Sequence, residues 1–406
     1  MRHGARLLGI AAALLLLGAG GVASPSDIEA LIKDGKLDEA ISSGRAAVEA
    51  SPSEPDLRGA LAHALAAKGR SVHRVVSTTV NAEDLVSGSA VLPRIGPDNP
   101  PEIKIVYDPS LFEEAIRQIR AAIELAPRRE DLRLTECYLF TDAADIDRAA
   151  EAVRGTLAAL PHTSTLAPDL AAFGVERAQR GDARGGLTLL QPVSAAYPAD
   201  APLAVDRGFI LAQAGRKAEA LAELDRAAKL APKDLQILRR RATALVLLRE
   251  WKRARDGWKA AFEAGREDGD RLDAAAVALA FDVTTAKSEL QDLAAPASSA
   301  NPEVVRLAQD LLGAASASAA AKGNLELAKK LAGGGRQLLA VPVLHRALRA
   351  DPGLGEAASL LAGIERKFGF PSVAAEILRD ARPKAAPPAK SGTKRPRGAS
   401  PGSSPG

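Results

Sequence analysis

The sequence predicts an all-α fold built as a solenoid of helix–turn–helix units, and three observations carry that prediction. Marker residues recur every 34 positions, a signature of stacked repeats and not of separate globular domains. Aromatic residues make up only 3% of the chain while apolar residues reach 47%, so the core-forming content is dominated by Ala and Leu, which favour helices over strands. A single cysteine, Cys137, offers no internal disulfide, so stability has to come from packing.

The first residues have the layout of a secretory leader. Basic Arg2 and Arg6 precede an apolar run from Leu7 to Leu17, which exits through Gly21-Val22-Ala23-Ser24; this predicts export with cleavage near Ala23, and residues 1–23 as the signal peptide. The competing reading is an uncleaved inner-membrane anchor, because the run from Leu7 to Ala23 is close to the lower limit for spanning a bilayer. At the other end, residues 383–406 are Pro, Gly, Ser and Lys without core-forming residues, a composition that predicts a disordered tail. The formal charge of +4, less the tail's five cations and the leader's two, leaves the folded part at −3. Such a body lacks the broad basic face of a nucleic-acid binder.

Between these ends the repeat is explicit. Gly208, Leu211, Gly215, Ala220, Leu224, Ala227 and Pro232 recur 34 positions later as Ala242, Leu245, Arg249, Ala254, Trp258, Ala261 and Arg266. The same set stands 34 positions earlier as Gly174, Arg177, Gly181, Gly186, Leu190, Val193 and Pro198. Small residues let helix backbones approach, apolar residues at i, i+3 and i+4 bury one stripe, and the closing Pro cannot continue a helix. The stretch "GRKAEALAELDRAAKLAP" (Gly215 to Pro232) resembles the second-helix pattern of the tetratricopeptide repeat (TPR) family, in its exported bacterial form. The pattern also fits Ala40, Gly44, Ala47 and Pro52; Ala115, Ile119, Ala122 and Pro127; Cys137, Phe140, Ala149, Val153 and Pro161; Ala328, Leu331, Gly335, Ala340, Leu344, Ala347 and Pro352; and Ala362, Gly369, Ala374, Leu378 and Ala381. The resemblance covers most of residues 25–382 and implies a right-handed superhelix with a concave groove.

Two places break the period. From Pro52 to Pro127 the chain runs one repeat plus 41 residues, and the surplus falls at 70–109, in the turn between the two helices of the second unit. It holds "HRVVSTTV" (His73 to Val80) and "IKIVY" (Ile103 to Tyr107), β-branched runs consistent with a short hairpin, with a surface loop as the alternative. Residues 24–69 then hold the first units and 110–282 the central ones. Residues 283–320 read as a degenerate helical segment in which Asn301 caps a helix opening Pro302-Glu303. The last units occupy 321–382.

The chemistry points away from an enzyme, from cofactors and from a metal site. His3, His63, His73, His162 and His345 are scattered and match no ligand spacing. Cys137 falls where the repeat wants a small buried residue. Gly333 to Arg336 and Gly353-Leu354-Gly355 sit at turns, without the strand or the Gly-Lys-Ser/Thr of a phosphate loop. Glu267, Asp268, Asp270 and Asp273 lack the spacing of a calcium loop and suit helix N-termini. A catalytic site would have to hide in the insertion, among His73, Glu83, Asp84 and Asp98.

Function is therefore expected in the groove. The TPR resemblance places ligand contacts on the first helix of each unit, which here implies Tyr138, Phe209, Arg239, Arg240, Thr243, Asp273, Lys329 and Arg366. Arg239 and Arg240 suit a partner's carboxylates, although the Lys and Asn arrangement of the family's carboxylate clamp is not reproduced. The expectation is an exported scaffold or adaptor, periplasmic or extracellular, that binds a protein or peptide in the cell envelope. The alternative is a protein that binds peptidoglycan or an anionic polysaccharide through its basic tail and insertion, with weak contact of the tail to anionic polymers or lipids.

Overall fold

The computed structural model describes residues 22–75, 102–295, 300–315 and 321–381. The expected leader up to residue 21, the centre of the insertion at 76–101 and the basic tail lie outside the described residues.

Helices pair in sequence order. The first units are α1 (Pro25–Lys33) with α2 (Leu37–Ala50), and α3 (Pro55–Gly69) with α4 (Pro109–Leu125). They are followed by α5 (Glu130–Asp142) with α6 (Ile146–Ala159), α7 (Leu166–Gln179) with α8 (Ala183–Ala196), and α9 (Ala201–Gln213) with α10 (Lys217–Leu230). Next come α11 (Leu235–Leu247) with α12 (Trp251–Gly265), and α13 (Asp268–Ala278) with α14 (Val283–Ala294). A lone α15 (Pro302–Ala315) packs on α14 and α13, and the chain ends with α16 (Ala321–Gly333), α17 (Gln337–Ala350), α18 (Gly355–Lys367) and α19 (Pro371–Asp380). The segment read as degenerate thus contains a regular second helix, α14, and one supernumerary helix. Asn301 Oδ1 accepts the Glu303 N–H at 2.8 Å at the start of α15.

Helix starts follow from local chemistry. Ser24 and Asp27 form a capping box at α1, and Asp145, Asp182, Asp200, Asp234 and Asp282 cap α6, α8, α9, α11 and α14 through their carboxylates; each such cap is worth about 1 kcal/mol. The turns inside the pairs share one device. Gly181, Gly215 and Arg249, spaced by the repeat, have φ of 92°, 76° and 58°, and Gly335 and Gly369 have 78° and 85°. The left-handed residue lets the next N–H return to the end of the first helix, as from Arg216 to Leu211 O and from Glu250 to Leu245 O, both 2.9 Å. Arg249 does this without glycine's freedom, at a cost of about 1–2 kcal/mol.

The insertion emerges from the turn between α3 and α4 as two antiparallel strands, β1 (Arg70–Val75) and β2 (Glu102–Tyr107), in register Arg70↔Tyr107 to Val75↔Glu102. The pairing begins earlier than the first β-branched run, because Gly69 O accepts the Asp108 N–H at 2.9 Å and brings the two ends of the insertion together.

Two large hydrophobic clusters form the core. One runs from Ile28 to Ile210 and the other from Ala201 to Ile377. A third, small cluster joins distant parts of the chain: Leu211, Ala212, Ala220 and Leu247 of the central units close around Phe370. The solenoid therefore folds back on itself. α17 packs across α11 and α13, the Trp251 and His345 rings meet edge to face at 5.0 Å, Arg349 Nη2 donates to Ala280 O at 2.6 Å, and Gln213 Nε2 donates to Phe368 O at 3.0 Å.

Candidate functional site

The first helices of the N-terminal units line a cavity of about 670 Å³. Glu29 and Ile32 come from α1, His63 and Ala66 from α3, Leu134, Thr135 and Tyr138 from α5, and Phe173 from α7, while Arg70 and Tyr107 enter from the base of the ribbon. Tyr138 is 41% exposed, unusually open for so large a ring. His63 Nδ1 lies 2.9 Å from Glu29 Oε1, so the rim already holds a polar pair.

The ribbon is fastened to this groove by one carboxylate. Asp142, at the end of α5, has a fully buried side chain. Its Oδ2 accepts from Arg70 Nε at 2.8 Å and from Tyr107 Oη at 2.7 Å, and its Oδ1 accepts from Arg180 Nη1 at 2.9 Å. Burial alone would raise the pKa of this carboxyl, but hydrogen bonds from Arg70, Tyr107 and Arg180 outweigh it and hold Asp142 below its ordinary value. Burial and the neighbouring Asp142 raise the Tyr107 and Tyr138 hydroxyls, which stay neutral donors. The groove thus offers aromatic surface, two phenols and a cation edge on a fixed frame.

The eight residues expected to contact a ligand are divided among several places. Tyr138 lies in the N-terminal groove. Phe209 and Arg240 line a separate cavity of about 440 Å³ together with Asp206 and Gln213, and Lys367, Phe368 and Gly369 form its far wall. Arg240 is ion-paired with Asp206. Arg239 makes two parallel bonds to Asp270, at 2.8 and 2.9 Å, and reaches Glu267 at 2.6 Å. Asp273 lines a third cavity of about 590 Å³ beside Arg336 and Phe368, where burial and then Asp270 push its carboxyl up to about 7. Thr243 is partly buried on α11. Lys329 bridges Glu326 at 2.8 Å and Glu356 at 2.6 Å, and Arg366 is partly buried on α18. The two arginines that suited a partner's carboxylates therefore already hold carboxylates of neighbouring units.

Sequence reasoning missed Asp142, Arg70, Tyr107 and Arg180. Arg70 and Tyr107 flank the insertion, which was the available signal, but nothing local connects them with an aspartate one unit later. The cysteine and histidines are dispersed: Cys137 is buried beside Thr156 with its thiol pushed up to about 12 by desolvation, His162 bonds Leu157 O, and His73 sits exposed on β1.

No protein-family model and no curated protein matches the sequence. Among solved structures, MamA is 16% identical over 39% of this chain and 90% of its own, with a TM-score of 0.28. Pseudomonas aeruginosa PilF is 21% identical over 49% of this chain and 90% of its own, with a TM-score of 0.30. The C-terminal part of a TPR repeat-containing protein from Cytophaga hutchinsonii is 11% identical over 83% of this chain and 99% of its own, with a TM-score of 0.33. At these identities and scores the likeness carries no argument, and the assignment rests on the chain itself: its 34-residue period, its paired helices and its left-handed turns make it a helix–turn–helix solenoid, the fold that the TPR resemblance implies.

Proposed function

We propose that this chain is an exported scaffold that binds a protein or peptide partner along the groove of its N-terminal units, and that it serves assembly, secretion or surface organisation in the cell envelope. The observation that carries this reading is the open N-terminal cavity, with Tyr138 and Phe173 presented beside Arg70 on a frame that Asp142 holds in place. Tyr138 is exposed and Phe173 partly buried, and tyrosine and arginine are among the residue types enriched in the groups that dominate binding energy at protein interfaces. Among the described residues no helix is long and apolar enough to cross a membrane; export itself rests on the leader pattern. Arg239 and Arg240 contribute in this reading only by exchanging Asp270, Glu267 and Asp206 for carboxylates of the partner.

The test is a pull-down from envelope extract with a chain lacking residues 1–23. Tyr138→Ala with Phe173→Ala is expected to weaken capture of a defined partner by roughly thirtyfold, the equivalent of about 2 kcal/mol. Arg239→Glu with Arg240→Glu reports whether the central segment contributes. Retained capture in both double variants would remove the groove from consideration. Deleting residues 383–406 separates the polymer-binding alternative, under which sedimentation with the envelope collapses.

A further inference from the structure

The cavity of about 590 Å³ between α13, the start of α15 and the turn from α16 to α17 has walls of two kinds. Leu272, Val304, Leu307, Leu339 and Phe368 line it with apolar surface, and Glu267, Asp268, Asp273 and Glu303 bring carboxylates to it. A long aliphatic stem ending in a positive charge matches both kinds of wall, and lysine and arginine have that form. The cations within reach are already engaged. Arg336 holds Glu303 at 2.5 Å, Arg271 holds Asp268 at 3.3 Å, and Arg239 holds Glu267 together with Asp270 behind it. Five acids therefore stand against three arginines, an excess of two negative charges.

Asp273 is the acid left over. It has no hydrogen bond or ion pair among the described residues, whereas Asp270, in the preceding turn of the same helix, accepts two bonds from Arg239. Polar atoms left over between units elsewhere, Nε of Arg177 and of Arg241 among them, are sealed from solvent. Asp273 is instead partly exposed, and it lines the cavity. Burial and then Asp270 hold its carboxyl up at about 7, so an added cation is the group that returns it to the charged form.

The chain carries a matching segment close by. Phe368, in the cavity wall, is followed by α19, a helix of ten residues and about 15 Å. After it come Arg382, Lys384, Lys390, Lys394, Arg395 and Arg397 without an intervening acid. The chain from Ala381 to Lys390 spans up to about 30 Å, about twice the length of the helix, so this stretch reaches the cavity whichever way α19 points. A segment tethered at this range has an effective concentration on the order of 1 mM, enough to fill about nine-tenths of a site whose Kd is about 100 μM.

We propose that this cavity is a binding site for a basic segment and that its occupant is the chain's own tail, with the stretch from Lys390 to Arg397 laid along Glu267, Asp273 and Glu303 and one cationic head opposite Asp273. The site is separate from the N-terminal groove and does not depend on a partner bound there.

The test uses the full chain and, as probe, a labelled synthetic peptide of residues 383–397 followed by fluorescence anisotropy. In the unaltered chain the tail competes with the probe. The full chain carrying Lys390→Gln, Lys394→Gln, Arg395→Gln and Arg397→Gln is expected to bind the probe at least tenfold more tightly. Adding Asp273→Asn to that variant reverses the gain, whereas adding Glu49→Gln, which removes an exposed acid on α2, leaves it. Tyr138→Ala with Phe173→Ala, the change that tests the N-terminal groove, alters none of these values. Equal probe binding by the unaltered and tail-neutralised chains overturns the proposal. An equal loss from Asp273→Asn and Glu49→Gln also overturns it, because attraction to net charge alone would then account for binding. Amide exchange at 267–273 is expected to be slower in the unaltered chain than in the tail-neutralised one. Equal exchange there overturns the proposal as well, and that comparison involves no substitution in the helical core.

Discussion

Asp142 receives three donors on two buried oxygens, and two of them come from segments that the repeat does not supply in the same unit. Asp142→Ala leaves the Tyr107 hydroxyl and two guanidiniums without their acceptor. The expected loss is about 2–3 kcal/mol, at the low edge for a broken buried pair because Arg70 and Arg180 are a third exposed and recover water; thermal melts against Asp142→Asn measure it. Glu365 behaves in the opposite sense. Burial raises its carboxyl from the ordinary 4.5 to about 7, against the opposing attraction of Arg249. Its contribution to stability is therefore complete below pH 4.5 and is lost as the pH climbs through 7. Burial, reinforced by Arg249 and Arg349, lowers His345 to about 3, so its contribution is complete above pH 6.5 and is lost as the pH falls towards 3. Glu365→Gln should raise the melting temperature at pH 8 and leave it nearly unchanged at pH 4.5, with a difference of at most roughly 3 kcal/mol. A parallel pH profile in the variant and the unaltered chain would show that Glu365 does not titrate in this range. Neither residue was legible beforehand, since an acid in a helix reads as a solvated face until its neighbours from other units are known.

The helix pairs were legible because their chemistry is local. Gly174 and Gly186 mark where α7 and α8 cross: a Cβ on Gly174 would meet Leu190 Cγ at 2.7 Å and Gly186 O at 2.8 Å. Both residues are on the 34-residue template, so the period and the crossing are one fact seen twice. Gly174→Ala should cost about 1–3 kcal/mol through forced separation of the two helices. Gly155→Ala, on α6 with nothing within 4 Å of the new methyl, should gain about 0.5–1 kcal/mol from helix propensity alone. Paired urea titrations give both values, and equal signs would contradict the crossing. The degenerate segment was harder, because α14 keeps the helical pattern while α15 has no following second helix to complete a template. β1 and β2 were suggested by their β-branched residues, but their register depends on the closure between Gly69 and Asp108, which no pattern within the strands encodes.

For the whole molecule, linear stacking would leave each unit in contact only with its neighbours. Here Gln213 and Phe368, 155 residues apart, are hydrogen-bonded, so stability in the central and last units is shared in a way the N-terminal units do not experience. That long-range closure had no trace in the sequence: Phe368 and Phe370 look like ordinary turn residues until the seat beneath them exists. The groove was consequently expected to be continuous along eight residues, whereas fold-back leaves the N-terminal part open and covers the centre. The insertion has a different consequence. Because β1 and β2 leave and re-enter the solenoid side by side, with Val75 opposite Glu102, the repeat does not register how much chain lies between them. The expected consequence is that a segment of another length can stand in for the intervening residues without altering the helical frame. Replacing residues 76–101 with Asn-Gly, the pair suited to a two-residue hairpin, should preserve the helical circular dichroism signal; loss of that signal would show that the frame depends on the replaced residues.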